Sequence, residues 1–524
     1  MPSAPALDSP PQKRSVPAPE HPKLHRAPGL PLLLPIVLTP LVLWIHGYHP
    51  FAGDAGIYVA GVRHILDPSL YPLNAAFPVA FTRLSVFPWI LAAIVRLTHL
   101  PLAWILLAAH LLSIYLFLFA CCQLASRLFP GEAARLCSVI LAAACFTLPV
   151  AGTALFIMDP YVTARSFSTP LSLLALTASI DRAWPRTVLL LLIATLFHPL
   201  MGAFAVIFVL LYALVAAKRM RLALLVCGMF AATAGAVFFL AHGAPIAPAW
   251  RQAIDLPQRT FLFLARWRWY EVLGLLLPLL LYALAVPRLR SATAARALCL
   301  ACLLSGITSL LVAALFVPPT GPDILVPLQV LRSFHLIYTA GIVLCGGVFA
   351  RFVSRSRIAG FSLLALVFAA MAMAQSRAWP ACSRIEWPGA PPVNPWQQAF
   401  LWIRDNTPPN AVFAFNPELV YLPEEDEQGF RAIAERDHLA DDKDAGIVAV
   451  LPRLADRWAS QRKAQLNVDG MTDAQRIAEL TPLGATWLLL PPKAQTALTC
   501  HYSNSVVKVC QMAARSHWTP NTPP

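Results

Sequence analysis

The sequence predicts a polytopic α-helical membrane protein with a small α/β domain at its C-terminal end. Three observations carry that prediction. Of 524 residues, 58% are hydrophobic and only 13% charged, far less charge than a soluble chain of this size carries. Apolar runs of roughly 20 residues recur, the length that crosses a hydrocarbon core of about 30 Å. The charge is also unevenly shared. Residues 1–376 hold 26 Lys and Arg against 10 Asp and Glu, whereas residues 377–524 hold 14 against 16.

Each apolar run must be a helix, because a bilayer core offers no water to satisfy a backbone hydrogen bond. Residues 1–28, rich in proline and polar groups with Lys13, Arg14, Lys23 and Arg26, read as a disordered cytoplasmic tail. No cleavable signal peptide is expected ahead of the first apolar run. The first span is placed at 30–48. Residues 49–84 are mixed in polarity, and SVFPWILAAIVRLTH, which contains Arg96, reads as a helix lying in the interface.

Further spans are expected at 100–126, 136–154, 168–181, 187–198, 200–217, 222–241, 271–287, 297–317, 334–350 and 358–376. That makes about eleven, with residues 29–376 as the membrane domain. The pair 187–198 and 200–217 is short, with His198-Pro199 at its turn, and also fits two half-spans. Basic turns at Arg127/Arg135, Arg182/Arg186, Lys218/Arg219/Arg221, Arg288/Arg290/Arg296 and Arg351/Arg355/Arg357 then alternate with less basic ones. Positive-inside bias puts them in the cytoplasm and the C-terminal tail outside. One outer loop breaks the pattern, 242–270, with Arg251, Arg259, Arg266 and Arg268. This basic character belongs to membrane topology, and no nucleic-acid motif accompanies it.

Residues 377–524 read as a separate soluble domain. WQQAFLWIRDNT has helical spacing and stops at Pro408-Pro409. AVFAF (411–415), ATWLLL (485–490) and SVVKVCQM (505–512) read as strands. TDAQRIAEL reads as a helix capped by Thr472. EEDE (424–427) and DDKD (441–444) read as solvated loops, and Arg431 and Lys443 as surface charges. Eight of the eleven cysteines lie in the membrane part as small packing residues, with no CxxC or Cys/His metal spacing. Among Cys382, Cys500 and Cys510 of the tail, two can pair in an oxidising compartment, and the sequence leaves open which.

Acids are scarce in the membrane domain, and the topology sorts them. Asp54, in GDAGIYVAGVRH, and Asp159, in MDPYVTARS, fall in consecutive outer loops. Two carboxylates there suit proton abstraction from an acceptor hydroxyl and orientation of a donor or a divalent metal. Each has a structural alternative. Asp54 also suits the N-cap of a helix beginning at Ala55, and Asp159-Pro160 suits the start of a turn. Arg165 fits either a phosphate fork or an ion pair with Asp159. In LQVLRSFHLIY, steps of three place Gln329, Arg332 and His335 near one helix face. Arg332 is the phosphate candidate there, and His335 reads as a packing residue. His198, beside Pro199, reads as structural, and RWRWYE (266–271) as a headgroup belt.

The order of GDAGIYVAGVRH, the SVFPWILAAIVRLTH helix and MDPYVTARS resembles the GT-C superfamily of membrane glycosyltransferases, over roughly the first 200 residues. The resemblance implies transfer of a sugar from a polyprenyl-phosphate donor to an acceptor at the outer face of a bacterial inner membrane. It also implies Asp54 as the base and Asp159 as the second acid, the latter a possible ligand of a divalent metal. Arg165, Arg332, Gln329 and His335 would then bind substrate. WIRDNTPPNAVFAF, GFRAIAERD and DDKD resemble an uncharacterised domain of bacterial membrane proteins. Two alternatives stand beside this reading. One is a non-catalytic scaffold of the same layout, since Asp54 lacks the usual neighbouring acid and YPLNAAFP stands where the superfamily has His-Pro-Pro. The other is a transporter, which the absence of ionisable residues deep in the expected spans disfavours.

Overall fold

A computed structural model describes residues 30–241, 246–422, 425 and 429–512, and the predicted tail 1–28 lies outside them. The membrane part is helical: α1 Leu30–His46, α2 Gly53–Leu66, α3 Ala76–Leu84, α4 Phe87–Thr98, α5 Leu102–Leu128, α6 Glu132–Ala144, α7 Ala164–Ile180, α8 Trp184–Phe197, α9 Pro199–Ala216, α10 Met220–Leu240, α11 Pro248–Ile254, α12 Trp269–Ala285, α13 Thr293–Phe316, α14 Phe334–Arg355 and α15 Arg357–Ala378.

The count of about eleven spans does not stand. Seven helices among the described residues are long and apolar enough to cross a membrane, or eight if the bent pair α3 and α4 makes one span. The predicted spans at α1, α6, α7 and α8 contain only 17, 13, 17 and 14 helical residues. At 1.5 Å per residue they reach about 20–26 Å, short of the core. In the segment predicted as 136–154 the helix ends at Ala144, and the chain turns back on itself through a bridge between Pro149 and Phe156. The predicted interfacial helix is α4, bent 97° from α3. It exposes Trp89, Ile90, Ile94 and Leu97.

Small residues let these helices meet closely. Gly346 of α14 leaves room for Ser138 of α6, whose hydroxyl donates to Val343 O at 2.8 Å. The chain 145–163 then crosses to α7. There Thr163 N–H donates to Ser166 Oγ at 3.0 Å, which fixes the start of the helix at Ala164 and puts Arg165 in its first turn.

Beyond α15, the tail contains α16 Pro395–Asn406, α17 Phe430–Ala434, α18 Ala445–Val448, α19 Ala455–Gln465 and α20 Asp473–Leu480. Its strands are β1 Val412–Ala414, β2 Asp437–His438, β3 Trp487–Leu490, β4 Cys500–Ser503 and β5 Lys508–Gln511. They form one sheet in the order β2-β1-β3-β5-β4, parallel at β1/β2 and β1/β3 and antiparallel elsewhere. Strand alternation gives each face its own core. Phe413, Trp487 and Val509 pack with Trp396, Phe400 and Ile403 of α16. Val412, Ala414, Leu488 and Leu490 pack with Val468 and Leu480 on the other side. Asn394 caps α16 by accepting from Trp396 and Gln397 N–H, and Thr472 and Gln475 cap α20. Cys500 and Cys510 form the disulfide, joining neighbouring β4 and β5.

The sheet is fastened to the membrane part through residues 49–84. Gly56 of α2 and Gly429 meet backbone to backbone, so a Cβ on Gly56 would lie 2.9 Å from Gly429 Cα. Gly429 N–H donates to Phe51 O at 3.1 Å. Asp437 accepts from Leu73 and Asn74 N–H, both at 2.7 Å, and Tyr71 donates to Arg431 O at 2.8 Å. Arg63 pairs with Glu435.

Candidate functional site

Asp54 is placed by a glycine. Gly53 has φ +50°, and the Tyr161 hydroxyl occupies the space a Cβ would need. Only glycine takes this backbone and this neighbour together without strain. The expectation that Asp54 caps a helix starting at Ala55 is overturned. The helix begins at Gly53, Ala52 is its cap residue, and no side chain bonds there. Asp54 is the second helical residue, and its carboxylate points at cations instead.

Arg165 stands between the two acids, with Nη2 2.6 Å from Asp159 Oδ2 and Nη1 4.0 Å from Asp54 Oδ2. Asp159 and Arg165 are 3% and 5% exposed. That buried pair is held by a charge-assisted hydrogen bond. Asp54 lies deep among protein atoms, yet about half of its side chain (49%) still meets solvent in the cleft. Lys443 Nζ, from the C-terminal part that carries the sheet, comes to 3.9 Å of Asp54 Oδ1. Burial pushes the Asp54 carboxyl up, but Lys443, Arg165, Arg332 and Arg259 outweigh it and hold it below its ordinary range. The cluster therefore has four cations around two carboxylates, an excess of positive charge suited to a phosphate.

Arg332 contributes through its charge, and its guanidinium lies over the Phe261 ring at 5.0 Å. The expected shared helix face of Gln329, Arg332 and His335 does not exist. Two 3₁₀ turns, Asp323–Leu328 and Val330–Ser333, replace the helix, and Gln329 between them has φ +44°. His335, in the first turn of α14, is fully buried with Nε2 2.8 Å from Ile157 O. Gln329 Oε1 is buried with no hydrogen-bond partner. Arg165 occupies one of the two carboxylate oxygens of Asp159, the residue named for a metal. The group of His, Cys, Asp and Glu side chains close enough to share an ion, among the described residues, excludes Asp159.

Reading DDKD as a solvated loop is also corrected. Asp441, Asp442 and Asp444 are 7%, 1% and 7% exposed. Asp444 pairs with Arg431 at 2.8 Å and Asp442 with Arg462 at 2.5 Å. Arg431 is thus a buried partner and not a surface charge. Of EEDE, Glu425 alone lies in the described residues, and it is buried. Beside the Asp54 cleft, a cavity is lined by Gly53, Gly56, Glu425, Arg431, Asp441 and Lys443.

Sequence reasoning missed Lys443 and Arg259 at the site. The buried carboxylates on either side of Lys443 fix its loop. Arg259 Nη2 donates to Asp442 O at 3.1 Å and Lys443 O at 3.5 Å, holding that loop over Asp54. A signal for Arg259 was present, since it belongs to the one loop that breaks the expected charge alternation. His198 is a further neighbour, and its Nδ1 accepts from Met201 N–H at 3.4 Å, capping α9.

Asp441 supplies a pH test. Burial, then the charge of Asp444, push it up from 3.8 to about 8. A raised carboxyl stabilises the folded state while protonated, so stability falls as pH rises from about 4 to about 8. Asp441→Asn keeps an oxygen for the Asp444 N–H, which Asp441 accepts at 2.9 Å. The variant should flatten the fall in melting temperature across that window. An unchanged pH profile would remove Asp441 as its source.

No protein-family model matches the chain, and no curated protein is similar to it in sequence.

Proposed function

We propose that this chain is a membrane glycosyltransferase that moves a sugar from a polyprenyl-phosphate donor to an acceptor hydroxyl at the outer face of a bacterial inner membrane. The observation that supports it best is the convergence of Asp54, Asp159, Arg165 and Lys443 on one cleft. The acceptor oxygen attacks the anomeric carbon, and the bond to the phosphate oxygen breaks with its electron pair going to the phosphate. Arg165, Arg332, Arg259 and Lys443 stabilise that leaving charge. Asp54 takes the acceptor proton. Asp159 holds the Arg165 fork in place. The soluble domain completes the site through Lys443, on the extracytoplasmic side, with the N-terminus in the cytoplasm.

Binding of radiolabelled polyprenyl phosphate to the purified protein in nanodiscs, with transfer of label from a lipid-linked sugar, tests the reading. A protein that binds no polyprenyl phosphate, and whose C-terminal part captures a defined partner, favours the non-catalytic scaffold instead. Lys443→Met should raise KM for the donor about tenfold, the scale of one hydrogen bond to a charged group, with Asp54 still in place. An unchanged KM would exclude Lys443 from the donor site.

A further inference from the structure

A second cluster of ligand-type side chains shares no residue with the Asp54 cleft. His49, Cys382 and Glu386 place one ligand atom each within 4.8 Å of the others. His49 is 2% exposed, and its Nδ1 is 2.8 Å from Glu386 Oε1. His49 follows α1, whereas Cys382 and Glu386 sit in the connection between α15 and α16. Backbone bonds hold the two segments side by side. Tyr48 N–H donates to Arg384 O at 2.9 Å, and Glu386 N–H to Tyr48 O at 3.0 Å.

The surroundings orient all three groups. Trp379 stacks on the His49 ring, with centroids 4.7 Å apart. Gln397 Nε2 donates to Glu386 Oε2 at 2.7 Å. The amides of Asn394 and Gln397 lie 3.5 and 3.9 Å from Cys382 Sγ, as donors to sulfur. Outer hydrogen bonds of this kind are what orient the ligands of known metal sites.

We propose that His49, Cys382 and Glu386 bind a zinc-class divalent transition ion, with water in the fourth position. Nitrogen, thiolate sulfur and carboxylate oxygen form a donor set zinc accepts, and a hard ion such as Mg²⁺ does not favour. Ligands on a tetrahedral zinc stand about 3–4 Å apart, so closure takes shifts of about 1 Å. The ion joins two distant parts of the chain. His49 N–H also donates to Pro160 O at 2.9 Å, next to Asp159. An ion here therefore braces the start of the soluble domain against the loops that carry Asp54 and Asp159.

The full chain, purified in detergent, stripped with EDTA and titrated with Co²⁺, tests the proposal. The expected result is a near-ultraviolet thiolate-to-cobalt absorption that saturates at about one ion per chain and is displaced by Zn²⁺. Cys382→Ser should abolish the band. Gln397→Ala should keep it but weaken affinity about 10- to 100-fold. Either of two results would overturn the site: no thiolate band in the wild-type chain, or the same band in Cys382→Ser. Zinc content of the wild-type protein by mass spectrometry gives a readout that needs no variant, and a chain that takes up no zinc after stripping and reloading also refutes it.

Discussion

Asp54→Asn should lower sugar transfer by about 10²- to 10⁴-fold, the range a positioned general base contributes. The amide keeps the size and shape of the carboxylate but cannot take a proton. Because Asp54 makes no helix cap, the change should leave α2 and overall stability close to wild type. Donor binding should survive, since the amide removes a negative charge from beside a phosphate site. The loss should therefore fall on kcat. The sign of the pH effect follows from the same cluster. Cations hold the Asp54 carboxyl below its ordinary 3.8, so it is ionised throughout the neutral range. Activity should stay level as pH falls toward about 4, with the Asp54 limb below that value. A kcat/KM profile with its acid limb above pH 5 would assign the proton transfer to another group. Unchanged turnover in Asp54→Asn would remove it from the mechanism.

Arg431→Met should destabilise the protein by about 3–5 kcal/mol, the cost of breaking a buried ion pair from one side. Arg431 is 7% exposed, pairs with Asp444 at 2.8 Å and lies 3.5 Å from Asp437. Its Nη2 also donates to His438 O at 3.2 Å. Methionine fills much of the volume but leaves two carboxylates in a dry site. Asp437 is also the acceptor for Leu73 and Asn74 N–H, so the damage should reach the joint between soluble and membrane parts. Thermal unfolding of the purified chain measures it. Adding Asp444→Leu should recover part of the loss, because it removes one stranded charge. A single variant as stable as wild type would show that water or another cation satisfies Asp444.

Much of this was legible in the sequence because it depends on local pattern. Helical apolar runs mark α5, α9, α10, α12, α13, α14 and α15, and short apolar runs mark β1, β3 and β5. Thr472 announces the cap of α20. Helix ends were less legible. Residues 145–154 are apolar enough to continue α6, yet they fold back as a turn whose backbone bonds run between Leu148, Val150, Leu155 and Ile157. Hydropathy reports burial and does not report backbone shape. The 3₁₀ turns around Gln329 escaped notice for the same reason.

Charge was the poorest guide to location. DDKD looks solvated because four charges in a row usually are, but two of its three buried acids find partners remote in sequence. Arg462 serves Asp442 from 20 residues away, and Arg431 serves Asp444 from 13. Lys443 reaches Asp54 from 389 positions away.

By itself the sequence determined the helical, multi-span character and the small sheet, and marked Asp54 and Asp159 as scarce carboxylates of the apolar part. Composition and periodicity suffice for that, because the bilayer and the pleated strand impose their repeats on every few residues. Tertiary structure alone decided that Arg165 stands between the two acids, that Lys443 and Arg259 close over them, and that His49 meets Cys382 and Glu386. Ion pairs and ligand sets form through space over a few ångströms. No local repeat encodes which distant segments packing will bring within that range.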